Sequence, residues 1–422
     1  MKSWIEYDLN CDFPIENLPY GVFSVDTFSP RIGVAIGDQI LDMSLLFDAG
    51  LLSDLGIQQN LFAMPCLNLF AAGGKTVWKA TRARVSSLLV EDNDELRKNE
   101  ALRSAAFVPI SECKMHVPFA IQDYVDFYSS EQHATNVGKM FRPDNPLMPN
   151  WKHLPVGYNG RASSVVISGT EIRRPMGQTM PDGAESPIYG PCKRLDYELE
   201  MGFFTGKSNP LGQQVSTAQA SDFIFGLVIV NDWSARDIQK WEYQPLGPFL
   251  AKTFGTSVSP WVVSIEALEP FRTSGPAQSP AVLPYLQCAS DWAFDIQLEV
   301  ALKTTAMSEF EVISKGNFKT MYWNMAQQLA HQCVNGTNIQ VGDLYASGTI
   351  SGDTTDSAGC LLEMTTGGKN PVTLANGEQR RFLEDGDEVR MRAWCQGDGY
   401  RIGFGEVVGR VLQAVINSGA DS

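Results

Sequence analysis

An unbroken apolar run at residues 223–230, closed at once by Asn231 and Asp232, constrains the fold of this chain more than any other feature. Apolar side chains at both parities leave a strand no face for water, so this one is expected to be buried on both sides. Asp232, at the end of such a strand with Arg236 just beyond, stands where a carboxylate can be presented into a cleft. Alternatively, Asp232 or Ser234 caps a helix containing Ile238 and Trp241.

Short strand-like segments surround this run, at residues 164–167, 196–204, 294–302 and 388–394. Asp398-Gly399 reads as a hairpin turn into a further strand over residues 400–408. One helix interrupts them, predicted over residues 317–332 from the fourfold spacing of Met321, Met325, Leu329 and Cys333, with Gly336 as its C-terminal stop. Many short strands with few crossover helices predict a mainly β (α+β) fold built on a barrel-like or rolled sheet.

The character of the chain changes near Val117-Pro118, which predicts a small domain over 1–117 and a larger one over 118–422. In the first, a strand is expected at 21–25, a hairpin at 31–42 turning on Gly37-Asp38, and helices at 77–89 and 92–105. No catalytic residue types cluster there, so its expected role is structural or at a subunit contact.

With 33 Lys and Arg against 48 Asp and Glu, the net charge is −15. A phosphate backbone needs a basic surface to displace its counterions, so nucleic acid is not an expected partner. The eight cysteines never come within four residues of one another, which argues for reduced, mostly buried thiols rather than a zinc site or disulfide scaffold. No stretch approaches the length of a membrane span, and residues 1–13 are acidic and polar where a signal peptide is apolar. The expected location is cytoplasmic.

Three segments carry the chemistry. In residues 195–201, strand alternation puts Asp196, Glu198 and Glu200 on one face and Leu199 and Met201 on the other. Such carboxylates repel each other unless a cation or solvent intervenes, and a solvated acidic face is the competing reading. Asp232 supplies another carboxylate, and Asp126 lies in the third segment, residues 123–133. There Ser129 and Gln132 fit a capping box, placing His133 at a helix start. The positive end of the helix dipole favours a neutral imidazole, able to accept a proton. The competing reading is a structural histidine. Oxygen-only ligands select Ca²⁺, Mg²⁺ or Mn²⁺ over Zn²⁺ or Cu²⁺. Arg236 and Lys252 can offset the excess negative charge, while Tyr128, Arg142, Gln239 and Tyr243 offer directional donors to a small anionic substrate.

These segments closely resemble the fumarylacetoacetase family. The resemblance is carried by Glu16-Asn17-Leu18-Pro19-Tyr20-Gly21-Val22-Phe23, Asp126-Phe127-Tyr128-Ser129-Ser130 and His133-Ala134-Thr135-Asn136-Val137-Gly138. It continues through Asn231-Asp232-Trp233-Ser234-Ala235-Arg236-Asp237, Gly247-Pro248-Phe249-Leu250, Ala346-Ser347-Gly348-Thr349-Ile350-Ser351-Gly352 and Gln396-Gly397-Asp398-Gly399-Tyr400-Arg401. It implies an SH3-like N-terminal domain, a β-roll catalytic domain, a homodimer, and hydrolysis of 4-fumarylacetoacetate to fumarate and acetoacetate, the last step of tyrosine and phenylalanine breakdown.

Carried over position by position, the resemblance makes Asp126, Glu198, Glu200 and Asp232 the Ca²⁺ ligands, and Asp232, Lys252 and Thr256 a Mg²⁺ site. An ammonium has no lone pair, so Lys252 would ligate through its carbonyl oxygen. His133 becomes the proton acceptor oriented by Glu363; Arg236 and Lys252 join the catalytic group. Tyr128, Arg142, Tyr158, Gln239, Tyr243 and Thr349 become substrate contacts. One departure is visible: Asn159 stands where the family more often carries His, and an amide donates no proton near neutral pH. Decarboxylases of the same fold, or a silent relative that binds cation without turnover, are the rival readings.

Overall fold

A computed structural model describes residues 2–416. The N-terminal part is a five-stranded antiparallel sheet in the order Phe107–Pro109, Gln39–Asp42, Arg31–Ile36, Tyr20–Ser24, Lys114–His116. The predicted hairpin turns at Gly37, whose φ of +61° lies in the left-handed region that glycine enters without a Cβ penalty. Helix Gly74–Leu89 packs a stripe of Trp78, Thr81, Val85, Leu88 and Leu89 inward. The second charged helix is shorter than expected and covers only Glu100–Ala106. Asn93 and Asn99 are the reason: their side chains accept from the backbone N–H groups of Glu95 and Leu102, which favours turns and a late helix start.

An eight-stranded mixed sheet forms the centre of the molecule, in the order Gly157–Asn159, Tyr124–Phe127, Leu344–Ala346, Leu199–Thr205, Ile224–Asp232, Thr256–Val258, Val165–Ile167, with Val263–Ser264 also pairing to Ile224–Asp232. Every residue of Ile224–Asp232 is buried, as the apolar run requires. Leu227 and Ile229 face the catalytic-side core, while Val228 and Val230 join the N-terminal core. A register shift opposite Phe204 and Thr205 turns Phe225 to the N-terminal side as well. There Phe225 meets Trp78 edge-on at 5.2 Å between ring centroids. Full burial of a side chain of this size contributes about 1.5–3 kcal/mol, so these rings hold the N-terminal unit on the sheet.

A second, five-stranded sheet packs on the other side, in the order Glu311–Asn317, Gln297–Lys303, Glu388–Gln396, Arg401–Leu412, Ile172–Arg173. Gly399, at φ +74°, makes the predicted turn between its two longest strands. The helix expected over residues 317–332 is instead a strand ending at Asn317, an irregular segment, and helix Met325–Cys333. Asn324 and Gln327 exchange side-chain-to-backbone hydrogen bonds in a capping box, which starts the helix two turns later than the methionine spacing implied. Met321 is buried without being helical. The helix is capped by Val334, and Gly336 follows at φ +91°. The fold is therefore sheet-rich α+β, as predicted. Among the described residues no helix is long and apolar enough to cross a membrane, and all eight cysteines are free, four of them buried.

Candidate active site

The central sheet assembles the carboxylates by register. Asp126 pairs with Ala346, Ala346 with Gly202 two residues past Glu200, Leu199 with Asn231, and Asp232 with Thr256. Asp126, Glu198, Glu200 and Asp232 thus converge, with one carboxylate oxygen from each lying within 4.8 Å of the others, all four residues buried. The solvated-face reading fails on that burial. Asp232 is not a helix cap either: it ends a strand, and Ala235 precedes helix Arg236–Glu242 without a side-chain cap. Asp196 is not part of the cluster, because the strand breaks after it and resumes at Leu199.

Burying carboxylates costs several kcal/mol each unless cations repay it. Lys252 Nζ bonds Glu198 and lies 2.6 Å from Asp232 Oδ2; Arg236 Nη1 lies 2.6 Å from Glu198 Oε1. Burial works against ionised Glu198, but Lys252 and Arg236 outweigh it and hold the carboxyl below its usual range. Asp126 and Glu200 have no such partners. Burial, then the neighbouring carboxylates, push both well above the ordinary value. Their Asp126 Oδ1 and Glu200 Oε1 atoms are buried with no hydrogen-bond partner. Two orphaned carboxylate oxygens beside two further carboxylates are the chemistry of a hard-cation site, so the donor set fits a divalent metal. Tyr158 hydroxyl reaches Asp126 Oδ2 and Asp232 Oδ2, each at 2.8 Å, and Thr256 Oγ1 donates to Asp232 Oδ1 at 3.2 Å.

Gly348 closes one side of the cluster, its N–H donating to Glu200 Oε2 at 3.0 Å. Its φ is +77°, and a Cβ there would stand 2.2 Å from the Phe127 carbonyl oxygen. Gly348→Ala is expected to cost roughly 2 kcal/mol or more and to lower the denaturation midpoint accordingly. A midpoint equal to wild type would show that the backbone there yields freely.

His133 sits in the first turn of helix Glu131–Phe141. The cap is Ser130, whose hydroxyl accepts from His133 N–H, and not Ser129, which is turned inward to accept from Gln328. Nδ1 of His133 lies 2.5 Å from Glu363 Oε2. Glu363, on the short helix Leu361–Met364, also accepts from Asn136 Nδ2 at 3.0 Å, Ser351 Oγ at 2.8 Å and Cys360 Sγ at 3.2 Å. Burial would raise this carboxyl, but His133, Asn136 and Ser351 pull it down to about 2. Tyr128 packs edge-on against the imidazole, ring centroids 5.2 Å apart, and its hydroxyl lies in the fields of both Glu363 and Glu198.

Of the other expected contacts, Gln239 Oε1 accepts from Arg236 Nη1 at 3.4 Å, and Thr349 is buried beside Gly348. Arg142 and Tyr243 are exposed; their hydrogen bonds run to Pro146 and Gln244, not to the acidic cluster. Asn159 is exposed at the edge of the sheet. Sequence reasoning did not single out Asn136, Ser351 or Cys360 around Glu363. Asn136 follows His133 by one helical turn and was findable; Ser351 and Cys360 carried no local signal.

The family model described as fumarylacetoacetate hydrolase C-terminal matches residues 123–412, and fumarylacetoacetase N-terminal matches residues 16–118. The chain is 56% identical to the fumarylacetoacetase of Bos taurus over 98% of its own length and 99% of the relative's. It is 55% identical to that of Homo sapiens, covering 99% of this chain and all of the relative. The chain belongs to the fumarylacetoacetase family. It is accordingly a hydrolase acting on carbon–carbon bonds. A solved fumarylacetoacetate hydrolase from Exiguobacterium antarcticum shares the fold at a TM-score of 0.51 and 16% identity, over 94% of this chain and 99% of that one.

Proposed function

We propose that this enzyme hydrolyses 4-fumarylacetoacetate to fumarate and acetoacetate, with His133 as the general base. The supporting observation is the buried His133–Glu363 pair beside the four-carboxylate cluster. An ionised Glu363 can only accept a hydrogen bond, so Nδ1 is the nitrogen that carries a proton toward it, and in the neutral ring the lone pair falls on Nε2. That nitrogen takes a proton from water as the oxygen attacks the carbonyl carbon next to the fumaryl group. The carbon–carbon bond then breaks, its electron pair leaving with acetoacetate as an enolate, whose carbon takes up the proton that His133 drew from water. Arg236, whose buried Nη2 has no partner, donates to the developing oxyanion together with Lys252. Tyr128, Arg142, Tyr158, Gln239, Tyr243 and Thr349 serve as substrate contacts in this reading, which for the exposed Arg142 and Tyr243 requires them to leave their present partners, Pro146 and Gln244.

Asp126, Glu198, Glu200 and Asp232 would hold Ca²⁺, and Asp232 with Thr256 and the Lys252 carbonyl would hold Mg²⁺, supplying Lewis acidity that favours an enolate. The family resemblance also supports a homodimer and a cytoplasmic location. The test follows the substrate's enol absorbance with purified protein before and after chelation. Rapid loss that chelator abolishes and Ca²⁺ or Mg²⁺ restores is expected. Release of CO₂ in place of two acids, or no loss with cation bound, would overturn the reading.

A further inference from the structure

Asp196 is fully buried, stands two residues from a proposed ligand, and yet takes no part in the acidic cluster. Its carboxylate is saturated by four donors. Oδ1 accepts from the N–H groups of Tyr197 at 2.9 Å and Leu361 at 2.8 Å. Oδ2 accepts from Leu362 N–H and from Arg236 Nε, both at 2.9 Å. Leu361 and Leu362 are the first two residues of the helix that carries Glu363, and Cys360 before them supplies no side-chain cap. A carboxylate from a distant strand therefore caps this helix.

The same carboxylate fixes Arg236. A guanidinium is a rigid planar fork, so holding two of its edges sets the direction of the third. Asp196 holds Nε, Glu198 and Gln239 hold Nη1, and Nη2 alone is left buried and unpartnered.

We propose that Asp196 is a positioning residue that locks the oxyanion-binding arginine and the base-orienting glutamate into one rigid unit. This rests on the hydrolase reading above. One carboxylate spans the two halves of the reaction: the helix that aims His133 through Glu363, and the donor that meets the charge formed when water attacks. Losing it removes no group that touches substrate but releases Arg236 and Glu363 from their common frame.

The test is a double-mutant cycle on purified full-length protein with fumarylacetoacetate. Asp196→Asn keeps the volume but offers an amide donor to N–H groups or arginine, and should lower kcat roughly 10- to 100-fold with KM changed less than about threefold. In an Arg236→Lys background, which lacks the fork to be oriented, the same change should cost at least about threefold less than in the wild type, the remaining loss being carried through the Glu363 helix. A fold-level role predicts equal losses in both backgrounds, and that result overturns the proposal. So does an Asp196→Asn enzyme with wild-type kcat. Should Asp196→Asn not fold, Asp196→Glu keeps the charge, displaces the carboxylate by one methylene, and is judged by the same ratios. Failure of wild-type turnover would instead sink the hydrolase reading, and this proposal with it.

Discussion

Replacing His133 with Asn is expected to lower kcat by roughly 10²-fold or more, with little effect on folding. Asn can take the imidazole's place in the first helical turn and still donate toward Glu363, but it offers no basic nitrogen to water. The hydrogen bond between Nδ1 and Glu363 is replaceable; the lone pair at Nε2 is not. Steady-state kinetics with the enol absorbance, alongside thermal denaturation of both proteins, checks this. A variant with near-normal kcat and an unchanged denaturation midpoint would mean that another group takes the proton. The structure points to none equally well placed: among the described residues His116 bonds Ser24, His331 bonds Tyr285, and His153 is exposed, whereas His133 is buried against Glu363.

Withdrawing divalent cations is expected to abolish turnover and to lower the melting temperature reversibly. The physical reason is visible without any ion: Asp126 Oδ1 and Glu200 Oε1 are buried and unpartnered, and each carboxyl is pushed up by burial and by its neighbours. A cation that binds only the folded chain stabilises it by about 2.7 kcal/mol at a concentration one hundred times its Kd. Scanning calorimetry with chelator, then with Ca²⁺ or Mg²⁺ restored, reads that shift independently of catalysis. Identical melting temperatures in all three conditions, with calorimetry showing no heat of binding, would remove the cation from the site. Asp126→Asn and Glu200→Gln should respond only weakly to added cation, where the chelated wild type responds fully.

Much of this site was legible in one dimension because strand periodicity is local. Glu198 and Glu200 were expected on one face and Leu199 and Met201 on the other, and they converge so, but Asp196, expected with the two glutamates, is split off by the break in the strand. The apolar run predicted a doubly buried strand, and Ile224–Asp232 is one. Periodicity misled where side chains compete with the backbone for hydrogen bonds. Met321 kept the helical spacing, but the capping box at Asn324 and Gln327 decided where the helix begins. Ser129 and Ser130 are both competent caps, and the choice turned on Gln328, which takes Ser129 for itself from a distant helix.

The sequence alone determined which residue types could do chemistry here: oxygen ligands without clustered thiols, a histidine at a helix start, and an apolar strand ending in aspartate. Only the tertiary structure decided who meets whom. Glu363 lies 230 positions from His133, and Asp196 lies 165 from Leu361; no local pattern encodes either distance. The same holds for the burial that separates a cation site from a solvated acidic face. That difference is set by sheet register and by the two cores packed on either side of the central strands, and both are properties of the whole chain.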